Sequence, residues 1–145
     1  MKAVYLSLGS NVNPEQHIPR AIELLKKNFN VLRVSSVYET DPVGPAGSSK
    51  FWNLAVAIQV KSSDPLLPKI REIETALGRT RAGNKFSPRT MDIDILPQTD
   101  YQKLAFVMIP LAEIAPDEKD PQTGKSFEEI AEKFREEAKS FKKIL

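Results

Sequence analysis

Asp92 and Asp94 stand two residues apart in a β-branched, apolar run, Thr90-Met91-Asp92-Ile93-Asp94-Ile95, which reads as a strand. Side chains at i and i+2 of a strand leave the same face, with Cα atoms roughly 6.6 Å apart. The two carboxylates therefore converge on one patch, while Met91, Ile93 and Ile95 pack on the other. Like charges that close are costly unless cations hold them or one is protonated. Four cations and no acid lie just upstream: Arg79, Arg81, Lys85 and Arg89. A carboxylate pair beside concentrated positive charge suits magnesium-bound polyphosphate, because Mg²⁺ takes one or two protein carboxylates and fills its shell with water and phosphate oxygens. Arginine forks match phosphate oxygens, and a loop with its own glycine, Gly83, can close over a bound triphosphate.

An Asp-x-Asp alone also fits an edge strand with solvated charges, and a cationic loop also fits a solvated surface or an RNA contact. RNA recognition wants stacking aromatics on the strand faces, whereas these strands offer Val, Leu, Ile and Ala.

Composition narrows the chemistry. The 145-residue chain has no cysteine and one histidine, His17, which removes disulfides, thiolate nucleophiles, Cys-based zinc sites and any His-His metal pair. Carboxylates, arginines and lysines remain. A net charge of +2 does not by itself argue for nucleic acid. No apolar run approaches the roughly 18 residues of a membrane span, and the N-terminus lacks signal-peptide character. A cytoplasmic, monomeric protein without membrane or nucleic-acid partners is expected.

The elements that must position these residues follow from periodicity. Lys2 to Leu8 alternates as a strand, and Gly9-Ser10-Asn11 reads as the turn that ends it. Asn13, Pro14 and Gln16 suggest a capping box, opening a helix with Ile18, Ala21, Ile22, Leu25 and Phe29 inward. Pro19 conflicts with that helix and predicts a kink or a later start. Val31 to Thr40 reads as one strand, followed by a Pro/Gly/Ser loop at 41–50. Asn53 to Val60 alternates strictly, with Leu54, Val56, Ile58 and Val60 on one face. Asn53, Ala55, Ala57 and Gln59 form a second, smaller face with room for a ligand or another backbone.

Asp64-Pro65 predicts the start of a second helix and Gly78 its end, with Leu66, Leu67, Ile70, Ile73 and Leu77 as its stripe. Glu74 falls inside that stripe. A carboxylate on the core side needs a partner, either Arg71 at i−3 or a functional group. Ala105 to Pro110 reads as another strand, Leu111 to Ala115 as a helical turn, and Ser126 to Glu129 as a capping box before a terminal helix. This order predicts a single α+β domain over 1–145. It is expected to be ferredoxin-like, a mostly antiparallel sheet with helices packed on its faces.

Taken together, these segments resemble 6-hydroxymethyl-7,8-dihydropterin pyrophosphokinases. The resemblance rests on Leu8-Gly9-Ser10-Asn11, Ser35 to Thr40 with Pro42 and Gly44-Pro45, and Phe51-Trp52-Asn53-Leu54-Ala55-Val56. It continues through Ile73-Glu74, Gly78 to Arg81, Pro88 to Ile95 and Pro110-Leu111-Ala112-Glu113-Ile114-Ala115-Pro116. It implies transfer of pyrophosphate from ATP to the pterin hydroxymethyl group, with AMP released. Asp92 and Asp94 would hold two Mg²⁺ ions. Arg79 and Arg89 would join them in catalysis, and Glu74, Arg79, Arg81, Lys85, Arg89 and Ile95 would form the ATP site. Thr40, Pro42, Val43, Phe51, Asn53 and Phe106 would hold the pterin, its ring between the two phenylalanines. Against the family pattern, the stretch between the metal-binding strand and Phe106 is short. Phe86 stands where tryptophan is usual, and Arg71 where glutamine often binds nucleotide. A pterin- or nucleotide-binding relative with weak or altered activity is the alternative.

Overall fold

Strict alternation along the longest strand organises the molecule. The computed structural model describes residues 2–40, 50–63, 65–78 and 91–144. The first half comprises β1 (Lys2–Ser10), α1 (Pro14–Asn28), β2 (Asn30–Val34), β3 (Tyr38–Thr40) and β4 (Phe51–Val60). Then come α2 (Leu66–Ala76), β5 (Asp92–Ile95) and a 3₁₀ turn at Tyr101–Lys103. The chain continues with α3 (Ala105–Ile114), α4 (Phe127–Glu132), α5 (Arg135–Ala138) and β6 (Lys142–Lys143).

Among the described residues the six strands form one sheet, every pairing antiparallel, in the order β5-β1-β4-β3-β6 with β2 also paired to β4. The units β1-α1-β2 and β4-α2-β5 interleave as β2-β4-β1-β5, the split βαβ arrangement that the ferredoxin-like reading expects.

Each face of β4 builds its own core. Leu54, Val56, Ile58 and Val60 join Leu6 and Leu8 of β1 and Ile93 of β5 beneath α1 and α2, with Ile18, Leu25, Ile70 and Ile73. Full burial of each such Leu or Ile contributes about 1.5–3 kcal/mol. On the other face, Ala55 and Ala57 are covered by α3, whose Met108 and Leu111 share that core with Ile130 of α4. The small residues admit a helix backbone close to the sheet.

Several expectations are corrected. Ala105 to Pro110 is helical rather than a strand, continuous with Leu111 to Ile114. Eight of the ten α3 residues are buried, so the run lacks the polar stripe that would have betrayed its period. Val31 to Thr40 divides into β2 and β3, because the Ser35 hydroxyl accepts the Ala55 N–H at 2.8 Å in place of a ladder carbonyl. The first strand continues through Gly9 and Ser10, where a turn was expected.

Asn13 is left-handed (φ 43°) and makes no side-chain cap; its carbonyl accepts the Gln16 and His17 N–H groups instead. Pro14 does open α1, and the helix runs on through Pro19, since burial of Ile18, Ala21 and Leu25 outweighs one lost hydrogen bond. In α2 the expected cap Asp64 lies outside the described residues, Leu66 is the first helical residue, and Leu67 is half exposed rather than inward. Gly78, at φ 86°, ends the helix as expected. Ser126 and Glu129 do form the reciprocal capping box, but the terminal helix is interrupted between α4 and α5. No helix among the described residues is long and apolar enough to cross a membrane.

Candidate active site

Strand β5 lies antiparallel to β1, with Asp92 opposite Gly9 and Asp94 opposite Ser7. Met91 and Ile93 are buried in the first core, at 0% and 3% exposure, so alternation sends both half-buried aspartates to the face that α3 shares. The two aspartates therefore share one face of β5, as the spacing predicts. Gln98 Nε2 donates to Asp94 Oδ1 at 3.2 Å.

Across β1, the same rung continues from Asp92 through Gly9 to Asn53 of β4 and Tyr38 of β3. Asn53 is buried, and its Nδ2 donates to Thr40 Oγ1 at 2.7 Å. Two pairs further along, on the same face, Thr40 pairs with Phe51. A side chain at position 9 would crowd this corner: a Cβ there would stand 3.0 Å from Asn53 Oδ1 and 3.8 Å from a Phe51 ring carbon. Gly9 therefore serves close approach rather than a turn, which is why local spacing misread it.

Glu74 is 1% exposed on the core side of α2. Its Oε2 accepts the Ile93 N–H at 2.8 Å, and its Oε1 accepts from Arg71 Nη1 at 3.3 Å. The i−3 ion pair expected from the sequence is present. The bond to Ile93 was not foreseen, although an acid inside an apolar stripe was the signal for it.

Phe106 sits on α3, not on a strand, half-buried against the second core. Ile95 lies on the Ile93 side of β5, packed on the first core. Pro42, Val43, Arg79, Arg81, Lys85 and Arg89 lie outside the described residues, as does Phe86.

The second unforeseen cluster surrounds Glu113. Its Oε1 accepts the Tyr38 hydroxyl at 2.6 Å, and its Oε2 accepts both the N–H and the hydroxyl of Ser36, at 2.9 and 3.0 Å. Burial, followed by the bond to Glu113, pushes the Tyr38 hydroxyl far above its ordinary range. Burial would also raise the Glu113 carboxyl. The bonds from Tyr38 and Ser36, with Lys143 nearby, outweigh it and hold that carboxyl below the usual carboxylate range.

A family model, 7,8-dihydro-6-hydroxymethylpterin-pyrophosphokinase, matches residues 5–116, from within β1 to just past α3. The chain belongs to this family. A Bacillus subtilis 2-amino-4-hydroxy-6-hydroxymethyldihydropteridine pyrophosphokinase is 40% identical over 129 residues, covering 76% of this chain and 76% of the relative. A Pseudomonas aeruginosa pyrophosphokinase of the same name is 33% identical over 135 residues, covering 81% and 83%. Among solved structures, a Plasmodium falciparum HPPK-DHPS chain superposes with a TM-score of 0.75 over 95% of this chain at 15% identity. That likeness shows the shared fold, and this chain spans 44% of the bifunctional one. Within this pyrophosphokinase family fold, the α+β, antiparallel reading stands.

Proposed function

We propose that this chain transfers the terminal diphosphate of ATP to the hydroxymethyl group of 6-hydroxymethyl-7,8-dihydropterin, giving the pterin diphosphate and AMP. ATP is the co-substrate, and the chain acts as a transferase of folate biosynthesis. One observation beyond the family match carries the reading. A single sheet rung joins Asp92 to Gly9, Asn53 and Tyr38, setting the carboxylate pair beside a buried amide–hydroxyl pair on one face.

The amide–hydroxyl pair suits a flat heterocycle with hydrogen-bonding edges. Since Asn53 Nδ2 is given to Thr40, its Oδ1 is left to accept from ring N–H or amino donors, in the space that Gly9 keeps clear. Phe51 and Phe106 are the aromatics for stacking, and Pro42 and Val43, which follow Thr40 closely in the sequence, would contribute as well.

The aspartates suit Mg²⁺: both are hard oxygen donors, half-exposed and on one face, and the ion needs only one or two protein carboxylates when phosphates complete its shell. Asp92 and Asp94 would hold two ions, which when bound neutralise charge on the triphosphate. In the sequence, the segment 79–90 runs from Gly78, after α2, to Met91, the residue before Asp92. Its Arg79, Arg81, Lys85 and Arg89 would bind the triphosphate and offset charge on the migrating group. Glu74 and Ile95 belong to the nucleotide side.

In the transfer, the pterin hydroxyl oxygen bonds to the β-phosphorus. The bond from that phosphorus to the bridging oxygen of AMP breaks, and the hydroxyl proton passes to solvent. Such chemistry asks for placement and charge stabilisation rather than a covalent nucleophile. The whole chain, 1–145, acts as one cytoplasmic, monomeric domain on small molecules, without nucleic acid or membrane.

Incubation with ATP, Mg²⁺ and the reduced hydroxymethylpterin tests this. AMP and pterin diphosphate should appear in equal amounts. A folded chain that binds the pterin yet releases no AMP would reduce the reading to a binding relative, and one that binds neither substrate would overturn it.

A further inference from the structure

The segment Pro110 to Pro116 has no part in the chemistry above, yet it carries the Glu113 cluster. On α3 every residue is buried except Phe106 and Glu113. They are seven apart, two helical turns, and so share one face. Apolar packing holds the rest of the helix to the sheet, and such packing is non-directional, so alone it does not fix where the helix sits along the strands. Hydrogen bonds do. Glu113 gathers three donors from Ser36 and Tyr38, and Arg33 Nη1 donates to the Ile114 carbonyl at 3.2 Å. Tyr38 is the rung partner of Asn53 and lies two residues before Thr40 on the same strand face.

We infer that Glu113 is a positioning residue for the pterin side of the site. It latches α3 to β3 and so sets Phe106 against the strand that carries Thr40. This deepens the proposed function and rests on its placement of the pterin beside Asn53, Thr40 and Phe106. An exposed carboxylate fills no core volume, so its removal leaves no cavity, and its effect acts through the latch.

Glu113→Ala and Tyr38→Phe remove the two halves of one contact; the second keeps its ring in the core, so it holds the test open if the first folds poorly. Calorimetry, at a temperature where circular dichroism shows each chain folded, measures the pterin with Mg²⁺ and a non-hydrolysable ATP analogue present, and the analogue alone. Each variant should weaken pterin binding about tenfold and leave analogue binding within about twofold, with the double variant no worse than either single. Unchanged pterin affinity in both variants, or equal weakening of pterin and nucleotide, overturns the inference. A wild-type chain that binds no pterin overturns the proposed function itself, and this inference with it.

Discussion

Glu74 Oε2 accepts the backbone N–H of Ile93 at 2.8 Å, at the one residue between Asp92 and Asp94. Asp92 and Asp94 are paired along β1, and the Ile93 N–H turns away from that strand, at the sheet edge. A buried carboxylate from α2 thus satisfies a donor that the ladder leaves over, and fixes the strand between two charged side chains. Glu74→Ala strands the Ile93 N–H and removes the Arg71 partner. It should cost about 2–3 kcal/mol of stability by urea unfolding. AMP release should fall about tenfold or more, because the reacting groups shift with β5. Glu74→Gln keeps an acceptor for Ile93 and should lose about 1 kcal/mol.

The aspartates themselves should behave in the opposite way. Both are half-exposed on a strand whose buried residues are Ile93 and its neighbour Met91, so neither fills the core. Asp94→Ala should reduce AMP release at least about a hundredfold while stability stays within about 0.5 kcal/mol. Chelating Mg²⁺ from the wild-type chain should give the same loss, restored by adding the ion back. A marked drop in melting temperature with activity retained would assign Asp94 to structure instead.

A substitution at Gly9 should act on the two substrates unequally. A Cβ at this position meets Asn53 Oδ1 at 3.0 Å, and Asn53 is held in place by Thr40, so the amide must shift by a few tenths of an ångström. Gly9→Ala should therefore weaken pterin binding about three- to tenfold. The strand backbone accepts alanine, so unfolding should move by less than about 1 kcal/mol. Titration calorimetry with the pterin, then with the ATP analogue, checks the split; equal effects on both would show a general loosening of β1.

What was legible in the sequence was whatever has a period of two or a local cap. The alternation at 53–60 marked both faces of β4, and Asp-x-Asp marked two carboxylates on one face of β5. Ser126 and Glu129 gave a true capping box. The failures have a shared cause, contacts from far along the chain. Ala105 to Pro110 is uniformly apolar, with every residue but Phe106 buried, which erases the helical period. Ser35 interrupts a β-branched run only because Ala55, twenty residues on, offers its N–H. Gly9 looked like a turn because its real neighbours, Asn53 and Phe51, are distant in sequence. At the site, residue types with a demanding chemistry were visible. The acids that orient other elements, Glu74 toward Ile93 and Glu113 toward Tyr38, took their partners from the fold.

Asp120 should contribute to the loss of stability in acid. Asp120 is fully buried; its Oδ1 accepts the Tyr101 hydroxyl at 2.7 Å, and its Oδ2 accepts the Thr123 N–H and hydroxyl at 2.9 and 2.7 Å. Burial alone would raise its pKa, but the bonds from Tyr101 and Thr123 outweigh that and hold it below the ordinary value. A folded pKa below the unfolded one means that the stabilisation is complete above the unfolded carboxylate range, about pH 4. It is lost as pH falls through the lower, folded value. Asp120→Asn cannot titrate, so its urea midpoint should change less steeply on acidification than that of the wild type. At neutral pH, Asp120→Ala should lose about 2–4 kcal/mol, since it leaves the 2%-exposed Tyr101 without its hydroxyl partner. Urea midpoints taken from neutral pH down through the acid range decide the matter, and an Asn variant that tracks the wild-type slope throughout would remove Asp120 from the acid transition.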